Sequence, residues 1–106
     1  MVIKGDGIGP EVVDLMLNVL KECNMQAEII NCEAGSEQWE KNGSKDKSYI
    51  PDITMEALKE SDACFKGPTT TIPKPGAPRS VAVTLRQKFE LYSNIRPIKT
   101  YERLTP

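Results

Sequence analysis

Gly5-Asp6-Gly7-Ile8-Gly9-Pro10-Glu11 follows directly on Met1-Val2-Ile3-Lys4 and precedes a run of apolar residues at helical spacing. Glycines of this kind let a strand end in a tight turn and open a helix without a Cβ in the way. In this reading Gly9 is the N-cap, Pro10 occupies the first helical position, and Glu11 complements the helix dipole. Val12, Met16, Val19, Leu20 and Cys23 then supply an apolar stripe for packing on a sheet. The spacing is not the dinucleotide fingerprint G-x-G-x-x-G, because the third glycine comes one residue early. Such a turn can still bring backbone N–H groups close to an anionic ligand; a purely structural strand-to-helix joint is the alternative.

Downstream, Ala27 to Cys32 reads as a second strand, and Ser36 to Lys41 as a short helix stopped by Asn42-Gly43. Ser44 to Tyr49 is polar loop. A helix capped by Asp52 or Thr54 runs to Ser61, and Ala63 to Lys66 forms a short strand. Gly67 to Arg79 contains Pro68, Pro73, Pro75 and Pro78, which exclude helix and central strand. Helix resumes from Ser80 to about Phe89, and Leu91 to Ile98 reads as a last strand. Alternating strands and helices define an α/β chain with a mostly parallel sheet flanked by helices.

The 106 residues suffice for one unit at most, with a marginal core. With 14 basic and 15 acidic residues there is no electrostatic case for nucleic acid. The longest apolar run is broken by Asp14 and Asn18, so no segment reads as a membrane span, and no leader pattern precedes the glycine turn. Cys23, Cys32 and Cys64 show no C-x-x-C spacing and read as buried, reduced thiols of a cytoplasmic protein. The absence of histidine removes imidazole chemistry from these residues.

Two arginines stand out. A guanidinium grips a carboxylate through two parallel N–H bonds, is always charged, and costs less to desolvate than an ammonium. Arg86 lies seven residues after Arg79, so a solvated basic stripe is the ordinary alternative. Arg96 would sit on the strand face opposite Leu91, Ser93 and Ile95. Ser80, at a helix start, is either an N-cap or a hydroxyl donor to a bound carboxylate.

Together, the glycine turn, Lys66-Gly67-Pro68-Thr69-Thr70-Thr71, Arg79-Ser80, Leu85-Arg86, Leu91-Tyr92 and Arg96-Pro97 resemble the start of the isocitrate/isopropylmalate dehydrogenase family. The resemblance covers nearly the whole chain and implies that residues 1–106 are an N-terminal segment of that fold's large domain, incomplete by itself. It implies oxidative decarboxylation of a 2-hydroxy acid with NAD or NADP and Mg²⁺ or Mn²⁺. By it Ser80, Arg86 and Arg96 hold the carboxylates of a tricarboxylate, and Ile8, Thr70 and Thr71 border the nicotinamide. Ser80, which isopropylmalate enzymes lack, and the Lys66-Gly67-Pro68 turn favour isocitrate by this resemblance. Ala82 stands where isocitrate enzymes carry asparagine, and Ile72 lengthens the loop by one residue. These departures keep open homoisocitrate, isopropylmalate and a non-catalytic regulatory subunit. The family's acid–base and metal-binding residues lie later in sequence, often across a dimer, so the segment alone is expected to be inactive. Tyr92 reads as a packing residue.

Overall fold

The structure is a computed structural model and describes residues 1–101. Strand β1 (Val2–Ile3) is central in a parallel sheet of order β2-β1-β3, where β2 is Asn31–Cys32 and β3 is Phe65–Lys66. Val2 pairs with Asn31 and Phe65, and Ile3 with Cys32 and Lys66. Helix α1 (Gly9–Glu22) joins β1 to β2; α2 (Ser36–Lys41) and α3 (Asp52–Glu60) join β2 to β3; α4 (Val81–Lys88) follows the proline-rich loop. The α/β alternation therefore stands, with the regular strands shorter than the apolar runs that contain them.

Side chains alternate across a strand. Ile3 enters a core with Ala34, Trp39, Tyr49, Ile50, Leu58 and Val81, while Val2 and Val13 are buried outside that cluster. Trp39 and Tyr49 meet edge to face, with ring centroids 5.5 Å apart, a geometry that suits the aromatic quadrupoles. The Trp39 indole N–H donates to the Asp46 carbonyl at 2.7 Å, so burying the ring orphans no donor.

Helix α1 departs from the sequence reading in two ways. Its N-cap is Ile8, not Gly9, because Ile8 already has near-helical backbone angles and its carbonyl accepts from the Val12 N–H. Its buried side is Gly9 and Val13, with Leu17 and Leu20 half-buried, whereas Val12, Met16, Val19 and Cys23 are exposed. At the far end Asn24 takes a left-handed conformation at φ 55°. Its N–H donates to the Lys21 carbonyl and that of Met25 to the Leu20 carbonyl, which closes a Schellman motif.

Other expectations need correction. Neither Asp52 nor Thr54 caps α3: Pro51 is the N-cap, and the Thr54 hydroxyl donates instead to the Glu33 carbonyl at 2.8 Å. Cys23 and Cys64 are exposed and Cys32 is half-buried, all as free thiols. Leu91 to Ile98 forms no strand. Those residues are exposed, and beyond the α4 end bond from the Leu91 N–H to the Arg86 carbonyl they have no backbone partner among the described residues. Extended chain without a neighbouring strand satisfies no ladder. Tyr92 is 101% exposed, so it does not pack. No helix among the described residues is long and apolar enough to cross a membrane.

Candidate functional site at the β1/β3 strand ends

Sheet order β2-β1-β3 means that the chain leaves β1 toward one side and returns on the other. In parallel α/β sheets such a reversal opens a crevice outside the carboxyl ends of the strands. Here the Gly5–Gly9 turn leaves β1 and the Gly67–Thr71 segment leaves β3, side by side. Backbone bonds stitch them together: Gly67 N–H donates to the Ile3 carbonyl at 2.8 Å, and Asp6 N–H to the Pro68 carbonyl at 2.9 Å. Gly5 has φ 79°, and a Cβ there would overlap the Pro68 carbonyl oxygen. The glycine is thus fixed by the approach of the second loop.

Asp6, which carried no weight in the sequence reading, is the hub. It is only 5% exposed. Oδ1 accepts from the Glu37 N–H at 2.9 Å; Oδ2 accepts from the Ser36 N–H at 3.1 Å and the Thr70 N–H at 2.6 Å. A Cβ on Gly35 would collide with this carboxylate, and Gly35 has φ 135°, so glycine is required there too. In return Glu37 Oε1 accepts from the Gly7 N–H at 2.7 Å. The Tyr49 hydroxyl, buried beneath the loop, accepts from the Ile72 N–H at 3.1 Å.

These bonds decide between the two readings of the glycine turn. The N–H groups of Asp6, Gly7 and Gly9 are already committed, to Pro68 O, Glu37 Oε1 and Asp6 O. The turn is a structural joint and offers no anion-binding nest of those amides. What it presents outward is the side chain of Ile8, 68% exposed, alongside the exposed Thr70 and Thr71.

Arg86, Ala82, Leu85 and Lys66 line an open groove of about 540 Å³ beneath α4. Ala82 and Arg86 share a helix face at i, i+4. Lys66 Nζ donates to the Gly67 carbonyl at 2.6 Å and lies 3.4 Å from Thr69 Oγ1, which ties the groove to the threonine loop. Burial pushes the Lys66 ammonium below the ordinary lysine range; Cys64 and Asp6 oppose the fall, and nearby Arg86 adds to it. Lys59, Lys66 and Arg86 line this groove against the single carboxylate of Asp62, and an excess of cations favours an anionic ligand.

Ser80 is the N-cap of α4, its Oγ accepting from the Val83 N–H at 3.3 Å. Capping uses a lone pair and leaves the hydroxyl proton free to donate, so the two readings of Ser80 coexist. Arg79 precedes the cap, donates to Gln87 Oε1 at 3.0 Å and lines a different hollow, so the basic stripe shared with Arg86 does not form. Arg96 lies in the exposed segment after α4, with no side-chain bond to Ser80 or Arg86 among the described residues. A larger hollow of about 610 Å³ lies on the β2 side. Glu33 and Glu37 face it together with Lys4 and Lys41, which makes it a poor host for a polyanion.

A parallel α/β layer whose strand order reverses beside β1 belongs to the class of folds that bind small ligands outside the carboxyl ends of their strands. The family model for isocitrate/isopropylmalate dehydrogenase matches residues 1–106, and the chain belongs to that family. An isocitrate dehydrogenase [NADP] of Caldococcus noboribetus is 40% identical over 97% of this chain. A homoisocitrate dehydrogenase of Methanocaldococcus jannaschii is 42% identical over 94%. The chain spans 24% and 28% of those relatives. The crystal structure of isocitrate dehydrogenase from Methylococcus capsulatus superposes with a TM-score of 0.74 at 41% identity, covering 86% of this chain and 25% of that one. The fold is thus part of the isocitrate dehydrogenase-like architecture.

Proposed function

We propose that residues 1–106 are the N-terminal segment of the large domain of an NAD- or NADP-dependent dehydrogenase that oxidatively decarboxylates isocitrate. The observation that carries this reading is the bonded pairing of the glycine turn with the threonine loop, next to a groove that Arg86 and Lys66 both face. In the proposed reaction NAD or NADP, when bound, would take the hydride of the hydroxyl carbon as the hydroxyl proton passes to a base, the β-keto acid would lose carbon dioxide, and the enolate left would take up a proton on carbon to give the 2-oxo acid. Arg86 grips a substrate carboxylate, the Ser80 hydroxyl donates to another, and Arg96 joins them once its segment gains a partner strand. Ile8, Thr70 and Thr71 bound the nicotinamide end, where an apolar contact excludes water from the path of the hydride.

Lewis-acid work on the forming carbonyl belongs to a divalent Mg²⁺ or Mn²⁺. Among the described residues no three His, Cys, Asp or Glu side chains converge; we assign its ligands to the rest of the longer protein. The exposed apolar face of α1, with Val12, Leu15, Met16 and Val19, suits a helix covered on both sides within a longer protein. A homo-oligomer and a cytoplasmic setting, in keeping with the free thiols, complete the proposal.

Homoisocitrate is the second substrate reading. Relatives of both kinds match equally well, and Ala82 leaves the Arg86 groove without an amide. The same alanine keeps a non-catalytic regulatory subunit in view. The test is turnover of isocitrate, homoisocitrate and isopropylmalate by the polypeptide of the complete reading frame, with NAD and NADP. Isocitrate is expected to be preferred, and Ala82→Asn to widen that preference, while residues 1–106 alone give no turnover. Preference for another acid would move the assignment within the family, and failure on all would favour the regulatory subunit.

A further inference from the structure

We propose that Asp6 and Tyr49 are positioning residues that set the Thr69–Thr71 loop at the height the nicotinamide requires. This rests on the dehydrogenase reading above. The loop leaves β3 after Lys66 and is pinned at two points past Pro68. The Thr70 N–H is held by a buried carboxylate at 2.6 Å, and the Ile72 N–H by a buried phenol oxygen at 3.1 Å. Between the pins stands Thr71, exposed. Both anchors are themselves fixed. Asp6 is held by two amides at the start of α2, and Tyr49 by the edge-to-face contact with Trp39 inside the core.

The consequence is a division of labour within the motif. The glycines admit the second loop, and the aspartate between them reaches across and holds it. Charge matters at this position. A carboxylate accepts all three N–H bonds, whereas an asparagine would turn an NH₂ group toward at least one of them. A displaced loop misplaces the nicotinamide relative to the hydroxyl carbon, and an error of about 1 Å can cost about a hundredfold in rate.

The test compares Asp6→Asn, Tyr49→Phe and Thr54→Val in the complete polypeptide. Thr54→Val removes the buried bond to Glu33 without touching the loop and serves as the stability control. For Asp6→Asn the KM for the nicotinamide cofactor is expected to rise about tenfold or more, with that for the hydroxy acid moving less than about threefold. Tyr49→Phe is expected to show the same split at smaller size, and Thr54→Val to show none. Tyr49→Phe decides the matter if Asp6→Asn does not fold. Amide exchange at Thr70 and Ile72, read without substrate, is expected to accelerate in the corresponding variant and not in Thr54→Val. Equal changes in both KM values, or unchanged exchange at these two amides, would overturn the proposal. Should the wild-type protein turn over no hydroxy acid, the dehydrogenase reading fails, and the exchange measurement still decides whether the two residues anchor the loop.

Discussion

The glycine turn with its threonine loop and the segment carrying Arg96 illustrate two kinds of site construction. In the first, the partners all lie in the described chain up to Ile72: Ile3, Asp6, Glu37, Tyr49 and Pro68 supply the bonds that fix it. In the second, Arg96 follows a helix that is well formed, yet residues 91–101 are exposed and without regular structure. A helix closes its hydrogen bonds locally, whereas a strand needs a partner from elsewhere. In the proposed reading, the cofactor edge is therefore built by this stretch itself, and the carboxylate clamp is only half built.

Breaking the self-contained half should have the largest effect on stability. Gly5→Ala places a Cβ against the Pro68 carbonyl at a backbone angle that disfavours side chains. It is expected to cost about 3 kcal/mol, read by urea unfolding. Wild-type stability in that variant would mean that the turn and loop are not in contact.

The joint between the two halves is Ser80. Ser80→Ala removes the cap of α4, at about 1 kcal/mol. If the free hydroxyl proton also serves a carboxylate, it should raise the KM for the acid more than Ser80→Thr does. Equal values for the two variants would reduce Ser80 to a cap.

The smallest effect concerns Lys66. Burial disfavours its charged form, so its folded pKa lies below its unfolded one. The cost to the fold is then present below the folded pKa and is relieved as pH rises toward the unfolded value. The pH midpoint for acetylation of Lys66 is expected to be lower in the native protein than in urea. A midpoint that does not move on unfolding would remove the desolvated cation from the groove.

Much of the architecture was legible in local signals. The glycines, Pro10 and the Asn42-Gly43 stop lie where helices start and end, and the parallel alternation followed from them. The α1 stripe was misread because that helix carries apolar residues nearly all round: Val12, Val13, Leu15, Met16, Leu17, Val19 and Leu20 fit more than one stripe. Only packing selects Val13 and Leu17. The role of Asp6 is masked in the sequence by the flanking glycines, although a carboxylate at a strand end beside a helix start is itself a signal. Tyr49 ends a polar loop, and nothing in its neighbours marks it as buried. The Leu91–Ile98 pattern is strand-like in composition, but pairing is a non-local property that composition does not fix.

The most direct test sets the two halves against each other in one protein, by measuring both KM values for Arg86→Ala and Ile8→Ser in the complete polypeptide. Arg86→Ala is expected to raise the KM for the hydroxy acid about a hundredfold and leave that for the cofactor nearly unchanged. Ile8→Ser is expected to do the reverse, at about tenfold. Both variants affecting both ligands alike, or the assignments exchanged, would contradict the division of the site into a cofactor edge and a carboxylate clamp.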